Sequence, residues 1–107
     1  MTSFVDRVAN AAAALRQIFP ETPLQENPYL SRKFGARVLL KREDLTPVRS
    51  YKIRGAFNFF RKIVADSPSG TTFVCASAGN HAQGFAYVCR HFGVQGEIGR
   101  ASCRERV

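Results

Sequence analysis

Thr71-Thr72-Phe73-Val74-Cys75-Ala76-Ser77-Ala78-Gly79-Asn80-His81-Ala82-Gln83-Gly84 reads as a strand that runs through a glycine turn into a helix. Residues 71–76 are β-branched and apolar enough for a buried parallel strand, and the breaker Ser67-Pro68-Ser69-Gly70 stands before them. Downstream, Ala82, Phe85, Ala86, Cys89 and Phe92 share one helical face, and Gly93 stops the helix by a left-handed cap. Upstream, Ile53, Ala56, Phe57, Phe60, Ile63 and Val64 recur at three- and four-residue intervals, which predicts a helix from about Lys52 to Ala65.

Further out, Ser3 and Asp6 form a capping-box-like start, followed by a helical stripe of Phe4, Val8, Ala11, Leu15 and Ile18 that Pro20 ends. Thr22-Pro23-Leu24 begins an extended connection, and Pro28-Tyr29-Leu30-Ser31 makes a turn or short helical piece before Phe34-Gly35. Arg37-Val38-Leu39-Leu40-Lys41 is a short strand leading to Arg42-Glu43-Asp44 and the Pro47 loop. Helix, strand, helix, strand, helix implies an α/β fold, with a further strand expected near Val94.

The 107 residues, 45% of them hydrophobic and nine of them phenylalanine, supply enough apolar material for a small globular core. The formal charge is +8. Over residues 1–96 it is still +7, from 13 basic and 6 acidic residues. Those basic residues are scattered singly or in pairs and the three tyrosines do not alternate with them, so no base-stacking platform for nucleic acid is expected. Cys75 and Cys89 lack C-x-x-C spacing, so no metal site is expected. With no signal-like leader and no run of eighteen apolar residues, no membrane association is expected and a reducing cytoplasm is the inferred location.

The last eleven residues, Glu97 to Val107, resemble one reading frame of a sequencing adapter. They are set aside from fold reasoning as a non-native tail, and the natural sequence is expected to be cut near Gly96.

Two segments carry chemistry. In Ser50-Tyr51-Lys52-Ile53-Arg54-Gly55-Ala56, a lysine at a helix start meets the positive end of the backbone dipole and the like charges of Arg49 and Arg54. Both effects are expected to favour a neutral, nucleophilic amine. In the Gly79-Asn80 turn, exposed amides together with Ser77 and Asn80 suit a carboxylate or phosphate at the carboxyl end of a strand. His81 is either a proton carrier or a surface residue of the first turn.

Lys41-Arg42-Glu43-Asp44-Leu45, Arg49 to Ala56, and Ala76-Ser77-Ala78-Gly79-Asn80-His81-Ala82-Gln83-Gly84 together resemble the threonine dehydratase (threonine ammonia-lyase) family. That family belongs to the fold-type-II pyridoxal-phosphate enzymes, the tryptophan-synthase-β-like superfamily. The resemblance spans roughly Thr22 to Gly96. It implies pyridoxal 5'-phosphate as cofactor, held by Lys52 as an internal aldimine, with Tyr51 against it and Asn80 bonded to the ring 3'-oxygen. Lys52 would also take the substrate α-proton. Ser77, Gly79, Asn80 and His81 would surround the α-carboxylate of an amino-acid substrate. The implied reaction is β-elimination of water from L-threonine, and also L-serine, giving 2-oxobutanoate or pyruvate and ammonia, in isoleucine biosynthesis or threonine catabolism.

The fold class so implied is α/β, an incomplete part of a two-domain enzyme with parallel sheets. Residues 1–48 would belong to the large domain, 49–96 to the first part of the small domain and 97–107 to the tail. The family's phosphate-binding glycine loop has no counterpart here, so the chain alone is expected to be an inactive fragment of a homo-oligomeric enzyme. Serine racemase or threonine synthase chemistry is the nearest alternative. Ala78, where the racemases carry a serine able to deliver a proton, favours elimination. A small basic nucleic-acid-binding module is the alternative of another class.

Overall fold

The computed structural model describes residues 1–99 and 104–106. Ser3 opens α1 (Phe4–Leu15): its Oγ accepts the Asp6 N–H at 3.1 Å while the Asp6 carboxylate accepts the Ser3 N–H at 3.1 Å, completing the expected capping box. The helix stops at Leu15, about a turn before Pro20, and its apolar stripe is covered at one end only. Leu15 and Phe19 are buried, whereas Phe4 is 71% and Val8 51% exposed. A stripe read from periodicity identifies a face, and burial needs a neighbour to cover it.

Next, β1 (Leu24–Glu26) pairs antiparallel with β2 (Leu39–Lys41), Gln25 opposite Leu40. The sequence reading took the first of these only as a connection. Between them lies α2 (Pro28–Phe34), whose cap Asn27 accepts the Leu30 N–H at 2.8 Å and whose Pro28 occupies a first-turn position that needs no donor. A 3-10 turn, Glu43–Leu45, follows β2.

The remaining elements are α3 (Lys52–Asp66), β3 (Thr72–Ala76), α4 (Asn80–Phe92), β4 (Gln95–Gly99) and β5 (Arg104–Arg106). β3 and β4 pair in parallel, Cys75 opposite Ile98, around the α4 crossover, which is the expected α/β unit. β5 adds antiparallel to β4. The expected strand after Val94 thus starts at Gln95, and it runs on through Glu97-Ile98-Gly99, the first residues of the segment set aside as tail. Gly93, at φ 65°, closes α4 as expected.

α3 buries Ile53, Ala56, Phe57 and Phe60 against Ala82, Phe85, Val88 and Cys89 of α4, with Cys75 and Ile98 beneath. Phe60 lies 5.5 Å edge-on to Phe85 and 5.0 Å from Phe73. Each such phenylalanine contributes about 1.5–3 kcal/mol by leaving water. Two expectations are corrected here. Val88, fully buried, was left out of the apolar face of α4, which is centred nearer Phe85 and Val88 than expected. β3 is half-buried: Cys75 points inward while Val74 is 68% exposed, because the helices packed on this strand cover one face of it.

Candidate functional site

The approach to α3 is wound by one hydroxyl. Thr46 Oγ1 accepts the Ser50 N–H at 3.0 Å and donates to the Ser50 carbonyl at 2.8 Å, with both residues buried. Arg49 between them takes φ 60°, a left-handed conformation that side-chain-bearing residues rarely adopt. The chain therefore leaves the loop in a set direction, Tyr51 acts as N-cap without a side-chain bond, and Lys52 becomes the first residue of α3.

Lys52 is half-buried, and its Nζ sits 5.1 Å from the centroid of the exposed Tyr51 ring. Among the described residues its ammonium has no acidic partner, in contrast to Arg37, Arg42 and Arg54. The neighbouring Ser50 Oγ is buried with no hydrogen-bond partner.

Gly84 ties this helix start to the second motif. A Cβ on Gly84 would stand 3.3 Å from the carbonyl carbon and oxygen of Lys52 and 3.4 Å from the Ile53 nitrogen. α4 thus meets α3 backbone to side-chain-free backbone at the lysine. About one helical turn earlier stand Gly79 and Asn80, where Gln83 N–H bonds to Gly79 O at 3.3 Å and no side chain caps the first turn. The uncapped amides there form a donor set for an anion.

Ser77 and Gly79 are brought together: the Gly79 N–H donates to Ser77 Oγ at 3.3 Å, and both line a recess of about 240 Å³ with Ala78, Gln83 and Ile98. His81 is on the other side of the turn, in a cleft of about 370 Å³ lined by Phe59, Phe73, Val74 and Phe85. The four residues expected around a carboxylate therefore share one turn but not one recess. Asn80 and His81 are exposed, and Ser77 is half-buried.

The sequence reading overlooked a cluster behind Lys52. Arg54 forks onto Glu43, Nε to Oε2 at 2.6 Å and Nη2 to Oε1 at 2.8 Å, while Thr22 Oγ1 donates to Glu43 Oε1 at 2.5 Å and accepts from Arg54 at 3.2 Å. Lys41 Nζ donates to the Thr22 carbonyl at 2.6 Å. The hydrogen bond from Arg54 holds the Glu43 carboxyl at about 2, against opposing desolvation, and the carboxylate in turn raises Arg54. Arg54 was expected to act on Lys52 as a bare like charge; instead its charge is matched by Glu43. No spacing pattern marks the cluster, since its members come from positions 22, 43 and 54.

The set comprises an amine without an acid partner, an orphaned hydroxyl and uncapped amides. That chemistry fits an anionic carbonyl compound. Among the described residues, no group of three or more His, Cys, Asp or Glu side chains could hold a metal ion.

Residues 15–100 match the family described as pyridoxal-phosphate dependent enzymes. The biosynthetic L-threonine dehydratase IlvA of Mycobacterium tuberculosis is 50% identical over 91 residues, which is 85% of this chain and 21% of that protein. The chain therefore spans about a fifth of the length of the curated relatives it matches. Among solved structures, threonine deaminase isoform 2 of Solanum lycopersicum, in its processed form, aligns with TM-score 0.72 and 29% identity over 90% of this chain and 26% of that one. Serine racemase of maize aligns with TM-score 0.81 and 24% identity over 92% of this chain and 31% of that one, a likeness of fold alone.

Proposed function

Because the chain belongs to the pyridoxal-phosphate-dependent enzyme family, we propose that Lys52 is the amine that carries the cofactor and that the full-length protein deaminates L-threonine, and L-serine as well. One observation carries this reading. The side-chain-free approach of Gly84 to the Lys52 backbone holds the amine-bearing helix start against the helix that begins at the donor turn Gly79-Asn80. An amine and an anion site are what an amino-acid substrate and an aldehyde cofactor require side by side.

When bound, pyridoxal phosphate supplies an electron sink for charge developing at the substrate α-carbon. Lys52 Nζ would hold the cofactor and would also be the base that removes the substrate α-proton. The first-turn amides of α4, with Ser77 and Asn80, hold the α-carboxylate, and Tyr51 covers the amine from the solvent side. Asn80 would also be the residue that holds the cofactor ring, and His81 stands at the rim of the turn. Loss of the β-hydroxyl as water and hydrolysis of the resulting enamine give 2-oxobutanoate and ammonia from threonine, or pyruvate and ammonia from serine. Ala78 carries no hydroxyl with which to return a proton, which supports elimination over racemisation. Residues 1–48 fall to the large domain and 49–96 to the start of the small one.

Borohydride reduction of the cofactor-loaded full-length enzyme, followed by peptide mapping, tests the assignment. The adduct is expected on Lys52, threonine is expected to yield 2-oxobutanoate, and Lys52→Ala is expected to abolish both. An adduct on another lysine in the wild type would overturn it.

A further inference from the structure

We propose that the Thr22–Glu43–Arg54 cluster is a positioning device for Lys52, acting through the backbone of α3 from the side opposite the amine; this rests on Lys52 being the cofactor lysine. Helix geometry supplies the argument. Successive side chains leave a helix about 100° apart, so Arg54, two residues after Lys52, departs on roughly the opposite side. Arg54 therefore does not share the space that Lys52 Nζ occupies, and it is spent on Glu43 with both oxygens engaged.

The cluster joins three separate stretches of chain. Thr22, only 4% exposed, comes from the connection before β1, Lys41 from the end of β2, Glu43 from the 3-10 turn and Arg54 from the first turn of α3. The Arg54 guanidinium also lies 5.2 Å from the Phe19 ring centroid. An arginine fork fixes angle as well as distance, because two parallel bonds resist rotation where one would swivel. Gly84 bears on the Lys52 backbone from α4, while the cluster draws the first turn of α3 onto the β1–β2 segment. These two contacts restrain the tilt and slide of the first turn of α3, and with them the direction in which the Lys52 Cα–Cβ bond leaves the helix.

A purely structural pair would lower stability without changing what each folded molecule does. The test uses the full-length enzyme with Arg54→Lys, Glu43→Gln and Thr22→Val, and with Arg37→Gln as a control that removes the exposed Arg37–Glu26 pair. Three quantities are read: the rate at which apo-enzyme captures pyridoxal phosphate on Lys52, scored by borohydride trapping and peptide mapping; kcat and KM for threonine; and the melting temperature. Arg54→Lys keeps the charge and loses the fork; it and Glu43→Gln are expected to slow capture and lower kcat about tenfold with KM within about twofold, as misorientation of a reacting group does. Thr22→Val keeps the fork and is expected to slow capture about threefold, so it reports even if the charge variants fail to fold. Arg37→Gln is expected to leave capture unchanged. Capture per folded molecule at the wild-type rate in the Thr22, Glu43 and Arg54 variants, with only the melting temperature lowered, would overturn the proposal while leaving Lys52 as the cofactor lysine. A wild-type adduct on another residue would overturn both.

Discussion

Replacing Gly84 with alanine perturbs the contact between the two motifs directly. The added Cβ meets three backbone atoms of Lys52 and Ile53 at 3.3–3.4 Å, so the helices must separate by a few tenths of an ångström. Two effects oppose each other. Alanine is the better helix former by about 1 kcal/mol, while an extra methyl forced into a packed interface costs about 1–3 kcal/mol. Gly55, also inside a helix, has nothing within 4 Å of its would-be Cβ, so Gly55→Ala receives the first effect without the second. The two variants of the 107-residue chain should therefore differ by about 1–3 kcal/mol, Gly55→Ala stabilised and Gly84→Ala neutral to destabilised. Urea denaturation followed by circular dichroism measures this, with equal m-values required for the comparison. In the full-length enzyme, Gly84→Ala should also lower kcat about three- to tenfold, because the donor turn moves relative to the amine. Equal stabilisation of both variants would refute the close approach on which the site is built.

Glu43 gives a pH signature. Its carboxyl falls from the usual 4.5 to about 2, so its contribution is fully present above about pH 4.5 and is lost as pH falls toward about 2. The groups facing it are Arg54, Thr22 and Lys41. Glu43→Gln should flatten the acid limb of a melting-temperature profile, and an unchanged limb would count against the pair. Burial pushes the Cys89 thiol up to about 11 and raises Cys75 as well. Iodoacetamide at neutral pH should therefore leave both unmodified in the folded chain and label both in urea, as peptide mapping would show. Val88→Ala should cost about 1–3 kcal/mol in the same urea assay, since its side chain is fully buried in the core.

What could be read in advance was local. α3, β3 and α4 appear within a residue of their expected limits because periodicity, the Ser67–Gly70 breaker and the Gly93 cap all act over a few residues. The β1–β2 ladder was missed because each strand has three residues and the pairing joins positions seventeen apart, Leu24 to Lys41. Exposure along α1 and β3 was missed for a related reason: Val8 and Val74 are apolar at the right spacing, yet nothing in spacing says which faces a neighbour will cover. Of the candidate site, the Lys52 helix start and the Gly79-Asn80 turn were legible as types of local structure. The partner of Arg54 was not, because an ion pair between residues eleven apart is decided by how a loop folds back.

Thr46 both gives to and takes from Ser50, which makes that bend a self-sufficient hub. The bend is closed by local bonds, so the course of the chain into the following helix is set first within five consecutive residues, before the Glu43 and Gly84 contacts hold the helix itself. A threonine that looks like filler thereby becomes the pivot on which those longer-range contacts act.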